Sequence, residues 1–151
     1  MRARRLSAGA ALASLAGAAL LFGQAGLIEA KARLAPVLLE RAFARTLEGE
    51  ANAKPWPWAD MTAIARLSAP DAGRSWIVVS EAGGEALAFS PAHMAATPAP
   101  GERGVSVIAA HRDTHFAGLG ALQPGDAVEV TRADGTIARF TMTGSQIVRH
   151  D

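Results

Sequence analysis

Residues 107–116 read VIAAHRDTHF. A short, apolar, β-branched run ends in His111, Arg112 and Asp113, and a second histidine, His115, follows. Val105, Val107 and Ala109 share one face of an extended segment, and His111 continues their parity just past its end. A strand mouth facing a cleft is a common seat for a catalytic side chain. Histidine suits that work because its unperturbed pKa of about 6.5 lets it give or take protons near neutrality. The bland alternative is that His111 and Asp113 satisfy backbone groups in a turn.

Around this corner the hydrophobic period is two. Strands are expected at 62–67 (TAIARL), 75–80 (SWIVVS), 85–89 (EALAF), 105–110 (VSVIAA), 127–132 (AVEVTR) and 136–143 (TIARFTMT), with a further start at 145–149. Turn chemistry separates them: Pro70-Asp71-Ala72-Gly73, Gly83-Gly84, Pro124-Gly125-Asp126 and Asp134-Gly135. The last, between two alternating runs, predicts a hairpin. Short strands at this spacing indicate a mostly β domain, a sandwich or a barrel. The proline- and glycine-rich stretch 91–104 reads as a loop crossing one end of it.

The N-terminus has a different character. MRARR carries three arginines, and Leu6–Ile28 follows as 23 residues without a charge. A bilayer core needs about 20 apolar residues as helix, so 6–28 is expected to span as an anchor. Arg2, Arg4 and Arg5 would keep residues 1–5 in the cytoplasm and place the remainder outside the inner membrane. A cleaved secretory signal is the alternative, and either way the domain is exported. Residues 29–49 have helical spacing at Leu34, Leu38, Phe43 and Leu47, interrupted by Pro36, and read as a juxtamembrane helix serving as a spacer. KPWPWAD, 54–60, cannot be helix interior, because each proline forces its predecessor extended. Its tryptophans would sit at a membrane interface or cover one end of the core. The expected organisation is therefore a tail (1–5), an anchor (6–28), a helix and linker (29–53) and a β domain (54–151).

Composition narrows the chemistry. Fifteen basic against 14 acidic side chains give no electrostatic reason to expect nucleic acid. There is no cysteine, hence no disulfide, no thiolate metal site and no cysteine nucleophile within these 151 residues. His111 and His115 are spaced as a zinc pair on a helix would be, but the metalloprotease pattern wants Glu after the first His, where Arg112 stands. A zinc hydrolase therefore stays a minor alternative. His111-Arg112-Asp113 also echoes a kinase catalytic loop, yet Gly118 occupies the position of the required Asn, and no glycine-rich phosphate loop precedes it.

The segment SPAHMAATPAPGERGVSVIAAHRDTHF, with KPWPWAD and the charged, apolar N-terminus, resembles the sortases, and more narrowly their proteobacterial class GN, close to class D. The similarity runs from about residue 54 to the end and is most specific over 89–116. The resemblance implies a membrane-anchored cysteine transpeptidase on a β-barrel, working without cofactor or metal. His111 would be its catalytic histidine, with Ala110 replacing the usual glycine before it. Thr114, His115 and Phe116 would line the substrate pocket. Partners would be an exported protein bearing an LPXTG-like sorting signal, an amine acceptor and the membrane. The family's nucleophilic cysteine, in a TLVTC-like motif, and its arginine have no counterpart here, and Arg112 and Arg149 lack the matching context. The chain is therefore expected to be a C-terminally truncated, inactive sortase whose partial barrel leaves Val128, Val130, Phe140 and Met142 uncovered. A non-catalytic, membrane-tethered β domain is the alternative from another class.

Retention of residues 1–28 is directly measurable. Mass spectrometry of the membrane-extracted protein should find the N-terminal segment intact; a mature N-terminus between residues 20 and 32 would instead identify a cleaved signal.

Overall fold

The computed structural model describes residues 33–148, together with 17, 18, 21 and 23. The anchor expected over 6–28 thus lies outside the described residues, apart from those four positions. Among the described residues no helix is long and apolar enough to cross a membrane. The chain divides into two units at residue 34, and everything below concerns the second, residues 35–151.

Six strands form one sheet, β1 (Ala63–Ala69), β2 (Arg74–Val79), β3 (Ala92–His93), β4 (Ile108–Ala109), β5 (Ala127–Arg132) and β6 (Ile137–Thr141), in the order β4-β3-β2-β1-β5-β6. Residues 35–47 form helix α1, and Gly84–Phe89 forms the short helix α2 between β2 and β3. Because that crossover returns the chain in the same direction, β3 runs parallel to β2, while every other neighbouring pair is antiparallel.

Two cores press on the sheet. Leu39, Ala42 and Phe43 of α1 pack with Met61, Ala63, Ile77 and Val79. Ala65, Leu67, Val78 and Val130 form a second cluster joined by Trp76, Ile108 and Phe116. A β-bulge lets one strand serve both: Ala63 pairs with Val79 but Ala65 pairs with Val78, so two residues of β1 oppose one step of β2. The extra residue reverses the inside–outside parity of β1. Beyond it Leu67 enters the second cluster, while the Arg66 guanidinium lies 5.4 Å over the Phe43 ring and pairs with Glu40 of α1. The helix expected as a spacer is thus built into the domain, and Phe43 is fully buried.

Several expectations are corrected. EALAF is helix, not strand: its alternation of small and large apolar residues mimics a period of two, but it lacks β-branched residues and Glu85 sits favourably in the first turn. The strand expected over 105–110 shrinks to Ile108–Ala109, and Val105 is 77% exposed. No strand forms over 145–148. Conversely, the supposed loop 91–104 contains β3. Trp56 meets Phe89 edge-on at 5.2 Å, covering the first core, whereas Trp58 is exposed. The Asp134-Gly135 hairpin forms as expected: Gly135 adopts φ 79°, and Asp134 accepts hydrogen bonds from the Thr136 amide (2.9 Å) and hydroxyl (2.6 Å). On β5–β6 Phe140 is 48% exposed, but Val130 is buried.

Since α1 contributes a fully buried aromatic ring, Phe43→Ala should lower stability by about 3–5 kcal/mol, read as a shift in the urea midpoint. A change within about 0.5 kcal/mol would show that α1 is only appended.

Candidate active site

β4 leads into the histidine corner, and the chain then folds into a tight turn. The His111 carbonyl accepts the amides of Thr114 (3.4 Å) and Phe116 (3.1 Å), and the Thr114 carbonyl accepts Ala117 (3.3 Å). The imidazole of His111 is exposed at the start of this turn. Arg112 and Asp113 pair at 3.3 Å, but with side chains 87% and 86% exposed the pair contributes little to stability.

The three residues expected to form one pocket wall part company. Thr114 points into solvent. Phe116 turns to the second core, meeting Trp76 edge-on at 5.6 Å. His115 lines a different cleft, of about 150 Å³, with Pro36 and Leu39 of α1, Ile77, Phe89 and Pro91. The turn therefore sets the three side chains against different neighbours, with Trp76 common to the His115 cleft and the Phe116 contact.

His115 is the electrostatically perturbed member. Burial lowers its pKa, the Ala88 carbonyl opposes that by favouring the charged ring, and the nearby charge of His111 lowers it further. Among the described residues, however, no group of three or more His, Cys, Asp or Glu could hold a metal ion, so the zinc alternative finds no third protein ligand.

The approach to the corner depends on a histidine that the sequence reading passed over. His93 of β3 is 8% exposed. Its Nε2–H donates to the Pro98 carbonyl (2.9 Å) and reaches Thr97 Oγ1 (3.1 Å). The visible signal was a lone histidine placed just before a proline-rich run, which offers carbonyls and few amides.

A single imidazole at a strand mouth, open to solvent and beside a second titratable ring, can move a proton to or from a bound group. It has no thiol beside it, because the chain contains none. Ser106 carries a buried hydroxyl without a partner among the described residues, at the rim of an open apolar groove of about 360 Å³ lined by Leu67, Ile108, Val128 and Phe140.

The model of the Sortase domain family matches residues 67–151, more than half of the sequence and including the whole corner. The chain belongs to the sortase family. Among solved structures, it is similar to the sortase D5 transpeptidase of Clostridium perfringens, with 24% identity over 70% of this chain and 62% of that one, at a TM-score of 0.52. Sortase C-3 of Streptococcus pneumoniae is similar at 23% identity over 80% and 68% of the two chains, with a TM-score of 0.50. At these identities the likeness is one of fold: a mostly β, curled half-barrel sheet. Sortase E of Streptomyces avermitilis is 28% identical over 46% of this chain and 49% of that one, at a TM-score of 0.43. The chain thus spans 62% of the first of these sortases and about half of the last. No curated protein matches it by sequence.

The depressed pKa of His115 has a signed consequence. Below its ordinary value of 6.5 the unfolded chain binds the proton that the folded chain resists. This contribution to stability is present above pH 6.5 and is lost as pH falls through the folded-state pKa. Acidification from about pH 7.5 to about pH 5 should therefore lower the melting temperature of the parent more than that of His115→Gln. Parallel profiles would place His115 in water.

Proposed function

We propose that this chain carries the acid–base half of a membrane-anchored cysteine transpeptidase, with His111 as the proton carrier. One observation supports this above the rest: a sortase-family sheet delivers an exposed imidazole at the mouth of its edge strand β4, within the HRDT segment. A residue held for packing would be buried, and His111 is not.

The thiolate must come from outside these 151 residues, since they contain no cysteine. It attacks the threonine carbonyl of an LPXTG-like signal, and an arginine, also supplied from outside them, stabilises the oxyanion. As the tetrahedral adduct collapses, His111 gives its proton to the departing glycine amine, the C–N bond breaks and an acyl thioester remains. The neutral imidazole then takes a proton from the incoming amine, whose nitrogen displaces the thiolate and forms the new amide. Proton and electron pairs balance, and His111 ends as it began. No metal or cofactor enters the cycle. Class GN or D-like character, the anchor over 6–28 and an extracytoplasmic position at the inner membrane belong to the same proposal. They are supported by MRARR, by the uncharged run behind it and by the resemblance over 89–116.

The 151-residue chain alone should form no acyl-enzyme on an LPXTG-like peptide, whatever occupies position 111. In the protein that includes the thiolate, His111→Ala should cost about 10² to 10⁴ in rate with the fold retained. His115→Ala should cost much less, because that ring packs against α1 and α2. Unimpaired turnover in His111→Ala would remove this residue from the mechanism. If the protein carries no thiolate anywhere, the non-catalytic reading holds instead.

A further inference from the structure

An imidazole can serve as a proton carrier only if its backbone is fixed, and β4 is poorly equipped to fix it. Its ladder to β3 comprises two pairs, Ala92 with Ala109 and His93 with Ile108. β4 also ends the sheet, with no strand on its other side among the described residues. A ladder so short, paired on one side only, holds register weakly. The residue before it, Val107, lies outside the strand, yet both of its backbone groups are satisfied. Its carbonyl accepts the Met94 amide at 2.9 Å, and its own amide donates to the Thr97 hydroxyl at 3.1 Å.

The Thr97 hydroxyl is fully committed. It donates its one proton to the Met94 carbonyl at 2.8 Å. Its lone pairs then accept: one takes the Val107 amide, and the other shares the His93 Nε2–H with the Pro98 carbonyl in a bifurcated bond. Nε2 must carry the proton, because its other partner is the Pro98 carbonyl, which cannot donate. Thr97 therefore joins β3, the 94–98 turn and the chain entering β4 through one oxygen atom. Gly104, at φ 122°, lets the returning chain pass close to Pro98, where a Cβ would stand 2.9 Å from Cγ.

We propose that Thr97, with His93 behind it, is the positioning residue for His111: its hydroxyl fixes the start of β4 and so the place where the histidine leaves the sheet. The consequence for turnover rests on the reading of His111 given above, but the positioning does not, and it can be measured separately. Selective labelling suits the chain, which has four histidines. Two-dimensional NMR of the 151-residue chain, ¹³C-labelled at histidine and ¹⁵N-labelled throughout, would follow the His111 imidazole and the Val107 amide. In the parent, the Val107 amide should exchange at least about tenfold more slowly than the amides of 103–105. In Thr97→Val, which keeps the shape and loses the hydroxyl, that protection should vanish and the His111 ring signals should shift or broaden. Thr97→Ser should restore both, which a purely steric role would not do. Where Thr97→Val fails to fold, the parent exchange rate and the Thr97→Ser spectrum still decide. In the thiolate-bearing protein, Thr97→Val should lower kcat about 10- to 100-fold, with KM within about twofold. Parent exchange at the rate of neighbouring loop amides, or a His111 spectrum unchanged in Thr97→Val, would overturn the proposal. An inactive thiolate-bearing protein with the same NMR outcome would overturn only the functional reading.

Discussion

Three consecutive residues of β2, Ile77, Val78 and Val79, are buried, and the architecture follows from that. Successive side chains of a strand face opposite sides of a sheet, so an unbroken buried run requires cover on both faces. Helix α1 supplies it on one side, through Leu39 and Phe43; β1 and β5 supply it on the other, through Leu67 and Val130. The bulge at Ala63–Ala65 is the local adjustment that lets β1 match this demand. Without the extra residue, Leu67 would point at α1, and the Arg66 guanidinium would enter the apolar second cluster unpaired.

The histidine corner is attached to this frame at some distance in the sheet. β3 is joined to β2 by a single residue pair, Val79 with Ala92, supported by the buried Ser90 hydroxyl, which donates to the Ile77 carbonyl. β4 is joined to β3 by two pairs. The ladders are short toward the edge where the proposed chemistry lies, and side-chain hydrogen bonds supplement them. His93 and Thr97 do this on the approach to His111. On the far side of the turn, Phe116 against Trp76 and His115 in the α1 cleft hold the exit. An acid–base group needs that combination: open itself, but bounded by fixed residues before and after it.

How much of this was legible in the sequence depended on how local each determinant is. The β5–β6 hairpin could be read because Asp134-Gly135 specifies its own turn, and the run expected at 127–132 coincides with β5. The sheet as a mostly β structure and the position of His111 beyond β4 were legible for the same reason. What failed was non-local. α2 was hidden because EALAF satisfies a two-residue alternation as well as a helical one. β3, two residues long, exists only because β2 and β4 lie on either side of it. The separation of His115 from Phe116 followed from α1, which was read as a spacer and so left no second surface for the turn to straddle.

The same distinction explains why His93 escaped notice and His111 did not. His111 stands next to charged neighbours after an apolar run, a pattern visible within ten residues. His93 gains its meaning from Pro98 and Thr97, which accept its proton, and from Ile108, opposite it in the ladder. A proline-rich stretch has carbonyls in excess of amides, since each proline removes a donor. Carbonyls left over in such a stretch are open to a donor from a side chain. An imidazole at the head of 94–104 supplies one, and the Thr97 hydroxyl passes the constraint on to Val107. The loop that reads as a mere connection is therefore tied to the strand it precedes, and through that strand to the residue on which the proposed chemistry depends.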